Sequence, residues 1–296
     1  MQLSRRPERA LRNYSVREAC PRISIVVSVF NSSTTIQQCI DSVIAQTYPA
    51  VELIVIDGGS TDGTRELLQQ NAPKLAYWTS EADRGIYHAW NKGLARAQGD
   101  WICFLGADDY LWASDTLERM APVLARAYPP IRVVYGEVAV VNSRGEEIAR
   151  AGKDWGATRV RLPQIMCLPH TGLMHHQSLF AVRGVFDESF RIGGDYEMLL
   201  RELRDGEAIF VPSLVVAGMR HGGVSSDPMG SLEMLREFRR AQRMHGLRRP
   251  GWHWLTAYAR AHLRAWLWRL LGDRFAPYVF DFGRLLSGKR PYWTRQ

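Results

Sequence analysis

The sequence predicts an α/β fold: a doubly wound, mostly parallel sheet with a basic, aromatic-rich helical appendage at the C-terminal end. Three observations predict it. Apolar β-branched runs recur about every 25 residues with helical spacing between them, the pattern of parallel strands joined by crossover helices. Carboxylates and glycines gather directly after those runs, where ligands bind in such sheets. The positive charge sits near the end of the chain: residues 236–296 hold 14 basic and 3 acidic side chains, whereas residues 1–150 hold 16 and 17.

Each element follows from its local pattern. Residues 23–30, ISIVVSVF, read as a buried strand that ends at Asn31 and Ser32. Residues 33–46 carry Ile36, Ile40, Val43 and Ile44 on one helical side, stopped by Tyr48-Pro49. VELIVI at 51–56 is a second strand, closed by Asp57-Gly58-Gly59-Ser60. A short helix is expected over 61–70 with Asp62 near its start, then a weaker strand over 75–79. A helix over 86–97 leads to the strand WICFL at 101–105 and its end, Gly106-Ala107-Asp108-Asp109. Residues 114–127 read as a helix capped by Ser114. Beyond it, strands are expected over 133–141, 178–182 and 208–217, and a helix from Asp195 to Arg204. The expected division is an N-terminal extension over 1–21, a catalytic domain over 22–228 and a C-terminal helical region over 229–296.

Apolar residues make up 46% of the chain and charged residues 23%, which suits a sizeable core and excludes a disordered or collagen-like chain. No apolar run reaches eighteen residues, so no membrane span is expected, and the basic N-terminus lacks the apolar stretch of a secretory signal. Cys20, Cys39, Cys103 and Cys167 form no C-x-x-C pair. Reduced thiols in a cytoplasmic protein are expected.

The chemistry lies in the strand-end loops. Asp108 and Asp109 are adjacent carboxylates after a buried strand, a costly arrangement without a cation nearby. A divalent metal that also binds phosphate oxygens suits them, one acid taking the ion and the other a ribose hydroxyl. A solvated turn is the plainer account of an isolated Asp-Asp, and the two upstream acids weigh against it. Asp57 in IDGGSTDGT can accept hydrogen bonds from a base or ribose, or simply close its own turn. Asp83-Arg84-Gly85 precedes a helix. Asp83 suits the edge of a base, and Arg84 or Lys92 suits a diphosphate; a surface loop before an amphipathic helix explains them equally well.

The strings ISIVVSVFNSSTTIQQCIDSVIAQTYPAVELIVIDGGSTDGT, SEADRGIYHAWNKGLARAQGDWICFLGADD, HHQSLFAVRGVFDESFRIGGDYEMLLR and HGGVS resemble the family 2 glycosyltransferases. These are inverting, nucleotide-sugar-dependent enzymes of the GT-A fold, and the chain most resembles bacterial members that build O-antigen, capsule or exopolysaccharide. The resemblance spans roughly residues 22–226. It implies that Val29 and Asn31 lie where the family contacts the nucleotide, that Asp57 holds uracil or ribose, and that Asp83 recognises the base. It implies that Asp108 and Asp109 stand for the D-x-D element, Asp109 binding Mn²⁺ or Mg²⁺ and Asp108 approaching ribose or sugar. The family often has an acid two positions before the last one. Here that position is Ala107, so the metal site rests on Asp109.

The resemblance also implies that Asp195 is the catalytic acid residue, the base that takes the acceptor hydroxyl proton on the face opposite the leaving diphosphate. Glu197, two residues on, is its rival, and a helix cap explains either. His221 falls where relatives place a histidine near the metal or diphosphate, and imidazole can ligate Mn²⁺; capping a turn is the alternative. His175 and His176 are read as strand-start histidines, not as a metal site.

Toward the C-terminus, Leu255, Tyr258, His262, Trp266 and Leu270, with Leu263, Leu267 and Leu271, form a helical stripe. Arg260 and Arg264 lie on another face, with Arg269 beside it. Such a helix suits an anionic membrane surface; packing on the catalytic domain is the competing account. No nucleic-acid module is present.

The expected function is therefore metal-dependent transfer from a nucleotide-sugar donor, UDP-linked first, to a hydroxyl of a lipid-linked glycan acceptor, at the inner face of the cell membrane. Direct transfer to a polyprenyl phosphate and a non-catalytic membrane-associated scaffold of the same fold are the alternatives. A dinucleotide-dependent oxidoreductase is disfavoured, because VFNSST replaces the glycine fingerprint after the first strand.

Overall fold

A computed structural model describes residues 20–222, 228–286, 288 and 293–294. Nearly all of the expected N-terminal extension, and Gly223 to Ser225 of HGGVS, lie outside the described residues.

The first half is a parallel sheet with crossover helices. Strands β1 (Ile23–Val29), β2 (Val51–Asp57), β3 (Tyr77–Ser80) and β4 (Trp101–Gly106) alternate with helices α1 (Ile36–Ile44), α2 (Thr64–Asn71) and α3 (Ile86–Leu94). The order β3-β2-β1-β4 is parallel throughout. The interiors of β1, β2 and β4 are buried on both faces, so they read as continuous apolar runs. On α1 the buried side is Ile36, Cys39, Ile40 and Val43, while Ile44 turns outward.

The second half reverses direction. Short β5 (Tyr110–Leu111), helix α4 (Thr116–Ala127), β6 (Val133–Val141), β7 (Glu147–Ala151), α5 (Trp155–Arg161), β8 (Leu173–His176), α6 (Gln177–Arg183), α7 (Gly194–Leu203) and β9 (Ala208–Arg220) follow. The sheet continues β4-β8-β6-β9-β5, with β8 antiparallel to both neighbours and β7 paired to β6. Two expectations are corrected here. Residues 178–182 are helical in α6, because the strand is completed at His176, whose Nδ1 accepts the Ser178 N–H and caps the helix. Ser114 does not cap α4; the Thr116 hydroxyl instead accepts the Ala113 N–H at 3.0 Å.

Helices α8 (Pro228–Met244) and α9 (Trp252–Leu286) complete the chain. Packing does not break near residue 228. Leu232, Leu235, Phe238 and Ala241 of α8, and Trp254, Ala261 and Ala265 of α9, share one buried cluster with Tyr196 and Leu199 of α7. The expected stripe is therefore divided. Tyr258 stacks on Trp254 at 4.6 Å, whereas Leu255, Leu263, Trp266 and Leu270 face outward. At Gly272 (φ 66°) α9 kinks, and Phe280 returns to stack on Trp268.

Candidate active site

Strand register sets the rim. Val29 pairs with Asp57 on one side, and Ser28 pairs with Gly106 on the other. The loops carrying Asn31, Asp57 and Asp108–Asp109 thus leave three adjacent strands at one edge. Helix α3 begins at that same edge, since its loop follows β3.

Asp57 is fully buried. One carboxylate oxygen accepts the Ser60 hydroxyl at 2.5 Å and the other accepts the Ser80 hydroxyl at 2.5 Å; the Ser60 N–H adds 3.1 Å. Asn31, in the left-handed region at φ 47°, donates its N–H to the Ser60 hydroxyl at 2.7 Å and accepts the Thr61 N–H at 3.0 Å. The side chain of Val29 is in the core, and its carbonyl accepts the Gly58 N–H at 2.9 Å. Asp57 and Asn31 therefore lock two strand-end loops together. Asp83 stands beside them: a methyl at Gly58 would lie 2.7 Å from Asp83 Oδ2, so only glycine permits that approach. Asp62 also works within the loops. It accepts the Thr64 hydroxyl at 2.6 Å and the N–H of Ser33 and of Thr64, which together hold its carboxyl well below the usual range.

Asp108 and Asp109 converge over Gly106. A methyl there would sit 2.8 Å from Asp108 Oδ1 and 3.2 Å from Asp109 Oδ2. Asp109 is only 6% exposed, and burial pushes its carboxyl well above the usual range, with the Asp108 charge adding to the shift. The Gly106 N–H and a backbone contact and positive charge from Arg220 oppose it only in part. A buried carboxyl that holds its own charge poorly, beside the half-buried carboxyl of Asp108, fits a hard divalent cation. Among the described residues no three His, Cys, Asp and Glu side chains cluster as a complete ligand set; Asp108 and Asp109 could supply part of one. Arg220 ends β9, and β5 pairs with β9 through Tyr110 and Gly218, which brings His221 to the Asp109 side of the rim. The His221 N–H donates to Val141 O at 2.8 Å, its ring meets Trp293 edge to face, and burial lowers its basicity.

Lys92 lies elsewhere. Its ammonium pairs with Glu81 at 2.8 Å in a cleft between β3 and α3, and Arg84 pairs with Glu188. Asp195 opens α7 and docks on the first turn of α3. The Tyr87 hydroxyl donates to Ile192 O at 2.5 Å and lies 3.4 Å from Asp195 Oδ1, which also accepts the Tyr196 N–H at 2.7 Å. Burial raises the Asp195 carboxyl to about 6, a value suited to a base near neutral pH. Glu197 is a different group: it is buried and paired with Arg201 at 2.9 Å and His245 at 2.8 Å. That assigns Glu197 to holding α7 against α8. His175 is buried against Phe104 and Phe180, a core position.

Sequence reasoning missed Tyr87, Arg220 and Glu237. The one available signal was Gly193-Gly194 directly before Asp195. A methyl at Gly194 would lie 2.8 Å from the Tyr87 ring, and one at Gly193 would lie 3.1 Å from Glu237 and Phe238.

The comparisons with known proteins bear on this rim. The family model described as glycosyl transferase family 2 matches residues 24–190. The chain belongs to the family 2 glycosyltransferases. It is 32% identical over 186 residues to a PGL/p-HBAD biosynthesis glycosyltransferase of Mycobacterium tuberculosis, covering 62% of this chain and 70% of that one. Among solved structures, S. aureus TarS 1–349 in complex with UDP-GlcNAc is similar at TM-score 0.58 and 17% identity, over 74% of this chain and 66% of that one. Against the longer TarS structure the chain spans 39% of that protein. The mannosyltransferase PcManGT of Pyrobaculum calidifontis, in complex with GDP-Man and Mn²⁺, is similar at TM-score 0.58 and 20% identity, over 93% of this chain and 82% of that one. These likenesses bear out the GT-A fold and the glycosyltransferase assignment.

Proposed function

We propose that the chain is an inverting, divalent-metal-dependent glycosyltransferase. It moves a sugar from a nucleotide diphosphate, UDP first, to a hydroxyl of a lipid-linked glycan in cell-surface polysaccharide synthesis. One observation carries this reading: Asp108 and Asp109 converge over Gly106 on the rim, with Asp109 a poor host for its own charge. Asp109 would hold Mn²⁺ or Mg²⁺, with His221 beside it and Asp108 toward the sugar. The ion would offset charge gathering on the leaving diphosphate. The neighbours solved with UDP-GlcNAc and with GDP-Man and Mn²⁺ support the donor class. Asn31, Asp57 and the Val29 carbonyl shape the nucleotide loops, Asp83 faces the base, and Lys92 stands behind that wall, paired with Glu81.

In this reading Asp195 takes the proton of the acceptor hydroxyl. The hydroxyl oxygen bonds the anomeric carbon as the bond to the diphosphate breaks, and the diphosphate leaves with the electron pair. Tyr87 holds the Asp195 loop, and the value of about 6 keeps Asp195 ionised at neutral pH.

The acceptor's lipid points to an anionic membrane surface at the cytoplasmic face. Trp252, Leu255, Leu263, Trp266 and Leu270 before the Gly272 kink, and Phe275, Tyr278 and Phe282 after it, are exposed on α9, near Arg260, Arg269 and Arg274. Among the described residues no helix is long and apolar enough to cross a membrane. An exposed apolar stripe beside arginines suits attachment in the plane of the bilayer.

The test is a screen of UDP-, GDP- and dTDP-sugars for Mn²⁺- or Mg²⁺-dependent nucleotide release in the presence of bacterial lipid extract, with D195N alongside. Turnover that needs metal and falls at least about 1,000-fold in D195N, with nucleotide binding kept, supports the reading. An active D195N removes Asp195 as base. Binding of nucleotide without any turnover favours the scaffold.

A further inference from the structure

The loop that presents Asp195 is held from two sides. From α3, Tyr87 binds Ile192 O, and Asn91 exchanges hydrogen bonds with Phe186: Nδ2 donates to its carbonyl at 2.9 Å, and Oδ1 accepts its N–H at 3.0 Å. From α8, one carboxylate takes three consecutive backbone donors. Glu237 Oε1 accepts the Arg191 N–H at 2.8 Å, and Oε2 accepts the Ile192 N–H at 2.8 Å and the Gly193 N–H at 2.7 Å. Arg240, one turn on, donates to Ser189 O at 3.1 Å.

These donors stand just before α7, where a helix start leaves N–H groups without intrahelical partners. A cap residue's own side chain reaches forward to the N–H groups of the first turn, not back to these, so they need an acceptor from elsewhere. Here Gly193 is the cap residue and offers no side chain. The acceptor comes from a different helix, more than forty residues later in the chain. Gly193 lets α8 come close enough, since a methyl there would meet Glu237 Cβ at 3.1 Å.

We propose that Glu237 is a positioning residue for sugar transfer: its carboxylate fixes the 191–193 backbone from which Asp195 is presented, so α8 completes the active site. The inference rests on Asp195 being the base. Three charge-assisted bonds to successive amides determine the path of that backbone. A base displaced by even 1 Å costs a large part of the rate. Glu237 also acts through its charge. The groups facing Asp195 are Tyr87 from α3 and Glu237 from α8, and the negative charge of Glu237 makes Asp195 harder to ionise.

The experiment compares full-length parent, E237Q, E237D and D195N. It measures UDP release from UDP-GlcNAc and GDP release from GDP-Man with Mn²⁺ from pH 5 to 9. Amide exchange over residues 188–196 is followed in the same proteins. Glutamine keeps one acceptor and loses the charge, so E237Q should lower kcat by about 10-fold or more with donor KM within about 2-fold. The acid limb of its pH profile should move to lower pH, and amides 191–193 should lose protection. E237D, which keeps the charge, should retain the parental acid limb. An E237Q with parental kcat, acid limb and exchange overturns the inference, as does a loss confined to donor KM. If E237Q does not fold, E237D decides: parental exchange at 191–193 with a displaced acid limb would overturn it. An active D195N instead defeats the base assignment and leaves the loop geometry to be judged by exchange alone.

Discussion

Replacing Asp109 with Asn should make the metal-free protein more stable while removing its response to metal. Two carboxylate oxygens that both reach the position of a Gly106 methyl, at 2.8 and 3.2 Å, cannot be far apart. At a separation of about 6 Å and an effective dielectric near 20, their repulsion is roughly 3 kcal/mol. Burial of Asp109 is the larger cause and acts in the same direction. The folded protein therefore binds a proton at Asp109 more tightly than the unfolded chain does. For an acid shifted upward, stability falls as pH rises above about 4 and through the folded value. An asparagine keeps the shape, and its amide oxygen can accept the Gly106 N–H, but it has no charge to ionise.

The difference between D109N and its parent should accordingly be near zero at about pH 3 and reach about 2 kcal/mol at about pH 8, less than the full repulsion because the pair relaxes or keeps its proton. At this chain length that is roughly 4 °C in Tm. Thermal unfolding in EDTA at both pH values measures it. With Mn²⁺ and UDP at about 100 times their Kd, the parent should gain about 2.7 kcal/mol and D109N almost nothing. A D109N protein that is less stable than its parent at pH 8 in EDTA, or that gains as much from Mn²⁺ and UDP, would refute the convergence of these two acids on a cation.

Two further outcomes follow from other parts of the molecule. His175 is held neutral by burial, its value lowered to about 4, and the buried His170 beside it is lowered as well. A base shifted downward stabilises the fold above its unfolded value near 6.5 and loses that contribution as pH falls toward 4, so about 2 kcal/mol should be gone by pH 5; the change in unfolding free energy between pH 7 and 5 should differ by that amount in H175F, and an unchanged difference would contradict this. On the exposed side of α9, the double change L263E/W266E should leave nucleotide release intact and weaken sedimentation with phosphatidylglycerol liposomes by at least roughly 100-fold, because two apolar side chains leave the interface; undiminished sedimentation would place the contact elsewhere.

The first half of the fold was legible because its strands are buried on both faces and its crossovers are short, so periodicity and strand-end loops coincide. The strand expected at 178–182 failed for a local reason: SLFAV is apolar enough for either state, and the deciding interaction is a cap from His176, which periodicity does not register. The C-terminal helices illustrate the opposite problem. Their charge marked a C-terminal helical region but not its packing: Leu235, Phe238 and Trp254 are core residues, and the Trp254 indole N–H donates to Leu235 O at 2.7 Å. Net charge describes the outer face of a helix and says little about the face that packs.

At the site, residue type was legible and role was less so. Asp57 stands at the expected strand end, but its oxygens bind Ser60 and Ser80, and through Ser60 they reach Asn31. Its acidity therefore organises two loops before any ligand arrives. In the proposed reading, what those loops then offer a nucleotide is backbone at Gly58 and Gly59, with Asp83 alongside. The same logic governs the acceptor side. Tyr87 and Glu237 hold the backbone at Ile192 and Gly193 directly ahead of Asp195, and neither partner is near it in sequence. Asp57 and Asp195 are thus each held by groups on a different element. A substitution at Ser80 or Glu237 should therefore impair function although neither side chain is itself a reactive group.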